Sequence, residues 1–246
     1  MVNPGKPTRE MSRYIDIDEY HAVERTHAFY EDMLAYIIND LKSMETQGEK
    51  IRVLEWGAGT GLVTEELAKL PHLDVTALEY DSECYEFLCK HIDDNSITCV
   101  HGDILTYYEE NKFDVVLSVF AHDHVHYEKA TGQVANIRRN LRDGGRYIMG
   151  GEILPKYETP EERAQSLISY HSIIVEQALA EQHFRLAQLE IDALESGVKM
   201  IGDFKRHEAL FENEMESGGF SLNTKKKMGP LDKSDVGGVY VYIYDR

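Results

Sequence analysis

The chain has 246 residues, 42% of them hydrophobic, which is enough apolar material for a sizeable core and excludes disorder over most of its length. Its 26 Lys and Arg against 44 Asp and Glu give a net charge of −18, a field that repels phosphate backbones and anionic lipid heads and so argues against nucleic acid or a membrane as partner. No apolar run approaches the roughly 20 residues that a bilayer requires, and the start Met1-Val2-Asn3-Pro4-Gly5-Lys6 lacks the apolar middle of a secretion signal, so the expected location is the cytoplasm.

Residues 1 to about 12 carry Pro4, Gly5 and Pro7 among charges and read as a flexible tail. From Asp18 to Met44 the apolar positions Val23, Tyr30, Met33, Leu34, Ile37, Ile38 and Leu41 recur at helical spacing, predicting one amphipathic helix. Ile51 to Trp56 then reads as a strand that stops at glycines, and Leu62 to Leu70 as a helix ended by Pro71. The alternation continues with a strand over Leu73–Tyr80, a helix over Ser82–Ile92, strands over Ile97–His101 and Phe113–Phe120, and a helix over Tyr127–Leu141. Asp143-Gly144-Gly145 reads as a turn and Arg146–Ile153 as a strand. Cys84, Cys89 and Cys99 lie within these elements without a paired spacing, so reduced and mostly buried thiols are expected.

Strands alternating with helices imply βαβ crossovers, hence a doubly wound, mostly parallel α/β sheet. From about 160 to 198 a helical insert with Leu167, Tyr170, His171, Ile174, Leu179, Phe184, Leu186 and Leu189 interrupts the pattern. A helix over His207–Ser217 and strands over Ser221–Met228 and Val236–Tyr244 follow, the last two predicted as an antiparallel hairpin. Lys225-Lys226-Lys227 on the first of them reads as a solvated guard on an exposed edge. No linker divides the chain, which reads as a single domain over residues 1–246.

The most informative stretch is Val53-Leu54-Glu55-Trp56-Gly57-Ala58-Gly59-Thr60-Gly61, a strand running through a glycine turn into a helix. Such a turn lets the backbone approach a ligand closely and leaves helix-start N–H groups available. A dinucleotide fingerprint would need its third glycine where Leu62 stands, and a P-loop would need Gly-Lys-Ser/Thr. Neither is present. Glu55 lies directly before the turn, which disfavours a pyrophosphate and favours a ligand carrying an ammonium or sulfonium. Glu79 ends the next strand, where a Rossmann-like carboxylate binds ribose hydroxyls, and Asp103 follows the third strand. The bland alternative for all three acids is a strand-end or cap role.

These residues resemble the class I S-adenosylmethionine-dependent methyltransferases, whose first motif, acid-x-Gly-x-Gly-x-Gly, is matched by Glu55 to Gly61. The likeness runs from about Val53 to Ile153 through Glu79, His101-Gly102-Asp103-Ile104, Phe113-Asp114-Val115-Val116 and Leu141-Arg142-Asp143-Gly144-Gly145-Arg146. It implies a Rossmann-like fold of seven strands, the last added antiparallel, with S-adenosylmethionine as cofactor. It further implies that Gly57, Ala58, Gly59 and Gly61 line the methionine and ribose portion and that Glu55 helps bind the amino acid end. Glu79 would hold the ribose, Asp103 and Ile104 would flank the adenine, and Tyr80 would pack on the base.

Methyl transfer needs chiefly alignment, and a positioned base where the acceptor carries a proton. The fourth strand ends in Ser118-Val119-Phe120-Ala121-His122-Asp123-His124-Val125-His126, where an extended chain would place His122, His124 and His126 on one face. The pattern admits a metal site, His124 or His122 as general base, a protonated pair facing an anionic acceptor, or a packed closing loop beside the cofactor. Glu152, ending the fifth strand, would orient an amine or cap a loop. The insert with Tyr170 and His171, and the leading helix with Tyr14, Tyr20 and Tyr30, would roof the cofactor and shape an acceptor pocket.

The resulting expectation is methyl transfer to the nitrogen or oxygen of a small-molecule acceptor with release of S-adenosylhomocysteine, in a chain compatible with a homodimer. Two rivals remain at this stage: cyclisation or aminobutyl transfer that releases methylthioadenosine, and a catalytically silent nucleoside-binding subunit.

Overall fold

The computed structural model describes residues 10–13, 15–44 and 48–246. Residues 1–9 of the expected tail, and Tyr14, lie outside the described residues. Seven strands form one sheet in the order β3-β2-β1-β4-β5-β7-β6. They are β1 Ile51–Trp56, β2 Leu73–Glu79, β3 Ile97–His101, β4 Phe113–Val119, β5 Leu141–Ile153, β6 Ser221–Gly229 and β7 Gly238–Asp245. β1 to β5 run parallel, and β7 runs antiparallel between β5 and β6. This is the Rossmann-like seven-stranded arrangement with a terminal antiparallel pair.

Alternation along the strands divides the core. Val53, Val75, Val115, Leu117, Ile148 and Val241 face one side, where the stripe Met33, Leu34, Ile37 and Leu41 of α2 (Tyr30–Ser43) and Val63 and Leu67 of α3 (Leu62–Ala68) cover them. Leu54, Trp56, Val116, Tyr147, Met149, Tyr242 and Tyr244 face the other, under Val134 and Ile137 of α5 (Ala130–Asn140) and Phe211 and Met215 of α8 (Glu208–Ser217). Between β2 and β3, α4 (Ser82–His91) packs Leu88 on Ala58 and Ala77. Cys84 is buried, but Cys89 is exposed and Cys99 half-buried, so the expectation of mostly buried thiols holds for Cys84 alone.

Three expected boundaries differ. The leading helix is broken into α1 (Ile17–Val23), a short 3-10 turn at Glu24–Thr26, and α2, because Phe29 takes the left-handed conformation at φ 67. The break swings His27 into a buried position. The insert is a pair, α6 (Pro160–Ala180) and α7 (Phe184–Lys199), turned at Gln182 with φ 63. A capping box between Thr159 and Glu162, with Pro160 in the first turn, starts α6. The Asp143–Gly145 turn loops out inside β5, so that Leu141 pairs with Phe113 before Arg146 pairs with Val115. Leu167, Tyr170 and Ile174 of α6 seat the pair on Ala28 and Leu154, just beyond the end of β5. Among the described residues no helix is long and apolar enough to cross a membrane.

Candidate active site

The strand order reverses between β1 and β4, and ligands of open α/β sheets bind outside the strand ends at such a point. A cavity of about 810 Å³, part of it open to solvent, lies there. Its wall includes Glu55, Gly57, Ala58, Gly59, Glu79, Tyr80, Ile104 and His124. Seven of the nine expected cofactor positions therefore share one cavity.

The other two sit apart. Gly61, at φ 93, opens α3, and an added Cβ would stand 2.7 Å from Leu88 Cδ1, so its bare Cα serves the packing of the turn on α4. Asp103 accepts the Leu105 N–H at 2.8 Å and lines a separate shallow hollow with Tyr80 and His101. Its placement matches the loop-cap alternative.

Backbone geometry shapes the main cavity. Gly57 has φ 79, and a Cβ there would lie 2.6 Å from Ala121 Cβ, so a glycine is needed to pass the loop after β4. Glu79 ties the glycine turn to the end of β2: its carboxylate accepts the N–H groups of Gly59, Tyr80 and Asp81 at 2.7, 2.8 and 2.7 Å. A carboxylate has about four acceptor positions, so this leaves roughly one for a ligand hydroxyl. Burial raises the Glu79 carboxyl against those three donors. Glu55 is buried beneath the turn, accepts the Thr64 hydroxyl at 2.6 Å, and is pushed up to about 8 by burial, with Thr64 opposing and Glu79 adding. A cation above it would lower that value again.

The chain start closes this cavity. Ser12 N–H donates to Asp81 at 2.8 Å, Met11 and Tyr20 enter the lining, and His21 Nδ1 lies 3.0 Å from Thr60 Oγ1. Arg25 donates to the Leu62 carbonyl at 3.1 Å and to Glu65 and Glu66 at 3.2 and 3.0 Å, which fixes the broken leading helix on the start of α3. Tyr30 also lines the cavity, as the expected roof requires, whereas Tyr170 is buried outside it, its ring 5.5 Å from that of His171.

A second cavity of about 680 Å³ adjoins the first, sharing Met11, Tyr20, Phe120 and His124. Glu152 and His171 line it, as do Glu24, His27, Glu190 and Lys205, none of which the sequence singled out. Lys205 Nζ contacts Asp203, Glu152 at 2.9 Å and Asp123 at 3.7 Å. Burial alone would lower Lys205, but these three carboxylates hold it well above its ordinary value. Glu152, despite burial, is held well below the usual carboxylate range, chiefly by Lys205 and His27. Burial would also lower His27; Glu190, Glu152 and Glu24 outweigh it and push the imidazole up to about 10. Glu152 is thus a charged member of a buried network, not a loop cap.

The three histidines after β4 do not share a face. A 3-10 turn at His122–His124 replaces the expected extended chain. His122 Nδ1 meets the Tyr147 hydroxyl at 2.8 Å in the core, outside both large cavities, and burial lowers its pKa. That placement corrects its assignment as a base. His126 caps the next turn through Glu128 N–H at 3.2 Å. His124 stands where the two cavities meet, with Nδ1 donating to the Gly202 carbonyl at 2.7 Å.

Residues 53–145 match a family profile described as "Methyltransferase domain". A malonyl-[acyl-carrier protein] O-methyltransferase of Priestia megaterium is 30% identical over 99 residues, covering 38% of this chain and 36% of that protein. The chain thus matches little more than a third of that relative's length. Among solved structures, Haemonchus contortus phosphoethanolamine N-methyltransferase 2 with phosphomonomethylethanolamine and S-adenosylhomocysteine aligns at TM-score 0.66 and 14% identity, covering 93% of this chain and 56% of that one. A Haloferax volcanii putative methyltransferase, solved with the Trm112 methyltransferase activator, aligns at TM-score 0.61 and 13% identity, covering 94% and 97%. At such identity the structural likeness concerns the fold alone. The sheet order and the acid-flanked glycine turn at the switch point accord with the methyltransferase domain that residues 53–145 match.

Proposed function

We propose that the protein transfers the methyl group of S-adenosylmethionine to a small molecule seated in the second cavity and releases S-adenosylhomocysteine. The observation that carries this reading is the pairing of two adjoining cavities, one built on the glycine turn and one roofed by α1, α6 and α7. The sulfonium supplies a methyl carbon already activated for displacement. The protein's part is alignment, worth up to about 7 to 11 kcal/mol.

Gly57, Ala58 and Gly59 let the backbone approach the cofactor, Glu55 balances its positive charge, and Glu79 accepts from a ribose hydroxyl with its remaining lone pair. Tyr80 and Ile104 border the adenine. His124 stands at the junction of the cavities and positions the acceptor. The chain works as one methyltransferase-like domain, with residues 160–198 as its cover; an acceptor site roofed by helices favours a small substrate over a macromolecule.

The purified protein, given methyl-labelled S-adenosylmethionine and a cell extract divided by ultrafiltration, should place label in the small-molecule fraction while S-adenosylhomocysteine accumulates. Label confined to protein or RNA, or methylthioadenosine formed from S-adenosylmethionine alone, would contradict the proposal.

A further inference from the structure

Five carboxyl groups line the second cavity: Glu24, Asp123, Glu152, Glu190 and Asp203. Four of them have cations. Lys205 serves Asp203, Glu152 and Asp123, while His27 Nε2 stands 3.3 Å from Glu190, whose other oxygen meets His171 Nδ1 at 2.8 Å. Glu24 differs. Only 8% exposed, it has neither a hydrogen bond nor an ion pair among the described residues. Ser196 Oγ, on the same wall, is also buried without a hydrogen-bond partner, and Glu152 Oε1 has only the His27 Nε2 ion pair at 3.4 Å. A buried polar group left unmatched is costly, and several around one cavity point to a ligand that completes them.

We propose that the acceptor is a small amine, bound as its ammonium form by the Glu24 carboxylate, which takes the proton that frees the nitrogen for methylation. This rests on the methyl-transfer reading above. The ammonium carries N–H donors for Glu24, Ser196 and Glu152, all acceptors. Its charge also answers the field: burial, reinforced by Glu190 and Glu152 and opposed by His27 and Lys205, raises Glu24 to about 8 in the empty cavity. A neutral alcohol lacks the charge, and a carboxylate or phosphate would meet like charges.

In the reaction, one ammonium proton passes to the Glu24 carboxylate, leaving a lone pair on nitrogen. That pair forms the new N–C bond to the methyl carbon while the C–S bond breaks and its electrons stay on sulfur. The products are a methylated ammonium, a neutral thioether and protonated Glu24, so total charge is unchanged.

The test uses matched probes on two skeletons: 2-phenylethylamine, 2-phenylethanol and phenylacetate, and cyclohexylamine, cyclohexanol and cyclohexanecarboxylate. Each is titrated at pH 7 into the full chain saturated with S-adenosylhomocysteine, in buffers of different ionisation heat, and each is assayed for S-adenosylhomocysteine release from S-adenosylmethionine. Amines should bind with release of up to about one proton, because an ammonium lowers the Glu24 pKa. Glu24→Gln should abolish the proton release and reduce turnover with amines at least tenfold, with S-adenosylhomocysteine affinity within threefold of the parent. Glu24→Asp should retain the proton release with weaker binding.

Preference for the alcohols or acids, failure of both amines to bind, or amine binding and proton release unchanged in Glu24→Gln would overturn the assignment. S-adenosylhomocysteine release with an alcohol would remove only the amine proposal. Absence of adenosylhomocysteine binding by the parent would remove the methyl-transfer reading itself.

Discussion

Glu79→Ala is expected to lower the affinity for S-adenosylhomocysteine at least 100-fold, a loss of about 2.8 kcal/mol. The reason lies in the turn before any ligand arrives. Glu79 holds the N–H groups of Gly59, Tyr80 and Asp81, so it fixes the glycine turn after β1 relative to the end of β2. Hydrogen bonds to a charged group contribute roughly 1.5 to 3 kcal/mol each, although water entering the emptied site would offset part of that. Alanine also removes the remaining acceptor position. Glu79→Gln should fall between parent and alanine, because its carbonyl oxygen can still accept two N–H groups while its NH₂ opposes the third. Calorimetric titration of the three proteins reads the order directly; affinity within threefold of the parent in Glu79→Ala would refute the role.

Lys205→Met is expected to be the most destabilising single change in the second cavity. The ammonium is buried against Asp203, Glu152 and Asp123, and its removal leaves carboxylates without their main cation. Breaking such a buried set from one side costs about 3 to 5 kcal/mol. For a chain of this size that corresponds to a melting-temperature drop on the order of 10 °C.

The pH dependence separates this from a simple packing defect. In the parent, the depressed Glu152 and Asp203 contribute stability above their unfolded pKa values, lost only as pH falls through the folded ones. The raised Lys205 contributes fully below its unfolded value, with loss only as pH rises through its folded one. Without the lysine, burial dominates the two acids and they take up protons more readily as pH falls. The melting-temperature deficit should therefore shrink between pH 7 and pH 5. A deficit that is absent, or that grows on acidification, would contradict the network.

Much of the fold was legible because its signals are local. The Val53–Gly61 strand-turn, the alternation of strands with helices and the final pair of strands each announce themselves over a few residues. The break at Phe29 does not: the apolar spacing continues from Val23 to Tyr30, and nothing there marks a left-handed turn in the way a glycine would. The turn at His122–His124 is hidden for a related reason, since an extended chain and a tight 3-10 turn are equally open to that sequence.

The second cavity was the least legible part. Its charged residues come from five separated places: the α1–α2 turn, the loop after β4, the end of β5, α6 with α7, and the segment before α8. Asp203, Lys205 and Arg206 resemble a solvated charge run, yet all three are buried, Lys205 against Glu152 and Asp123, Asp203 against Lys205 and Arg163, and Arg206 against Glu214. Only assembly of the fold brings Glu24 beside Glu152 and Glu190.

One measurement reaches the central claim without any variant: calorimetric titration of the purified chain with S-adenosylmethionine, S-adenosylhomocysteine, ATP and the oxidised nicotinamide dinucleotide. Saturable heat at one site per chain is expected for the two thio-nucleosides, with none for ATP or the dinucleotide, since Glu55 underlies a turn without a P-loop lysine or a third dinucleotide glycine. Heat with ATP or the dinucleotide and none with S-adenosylhomocysteine would contradict it.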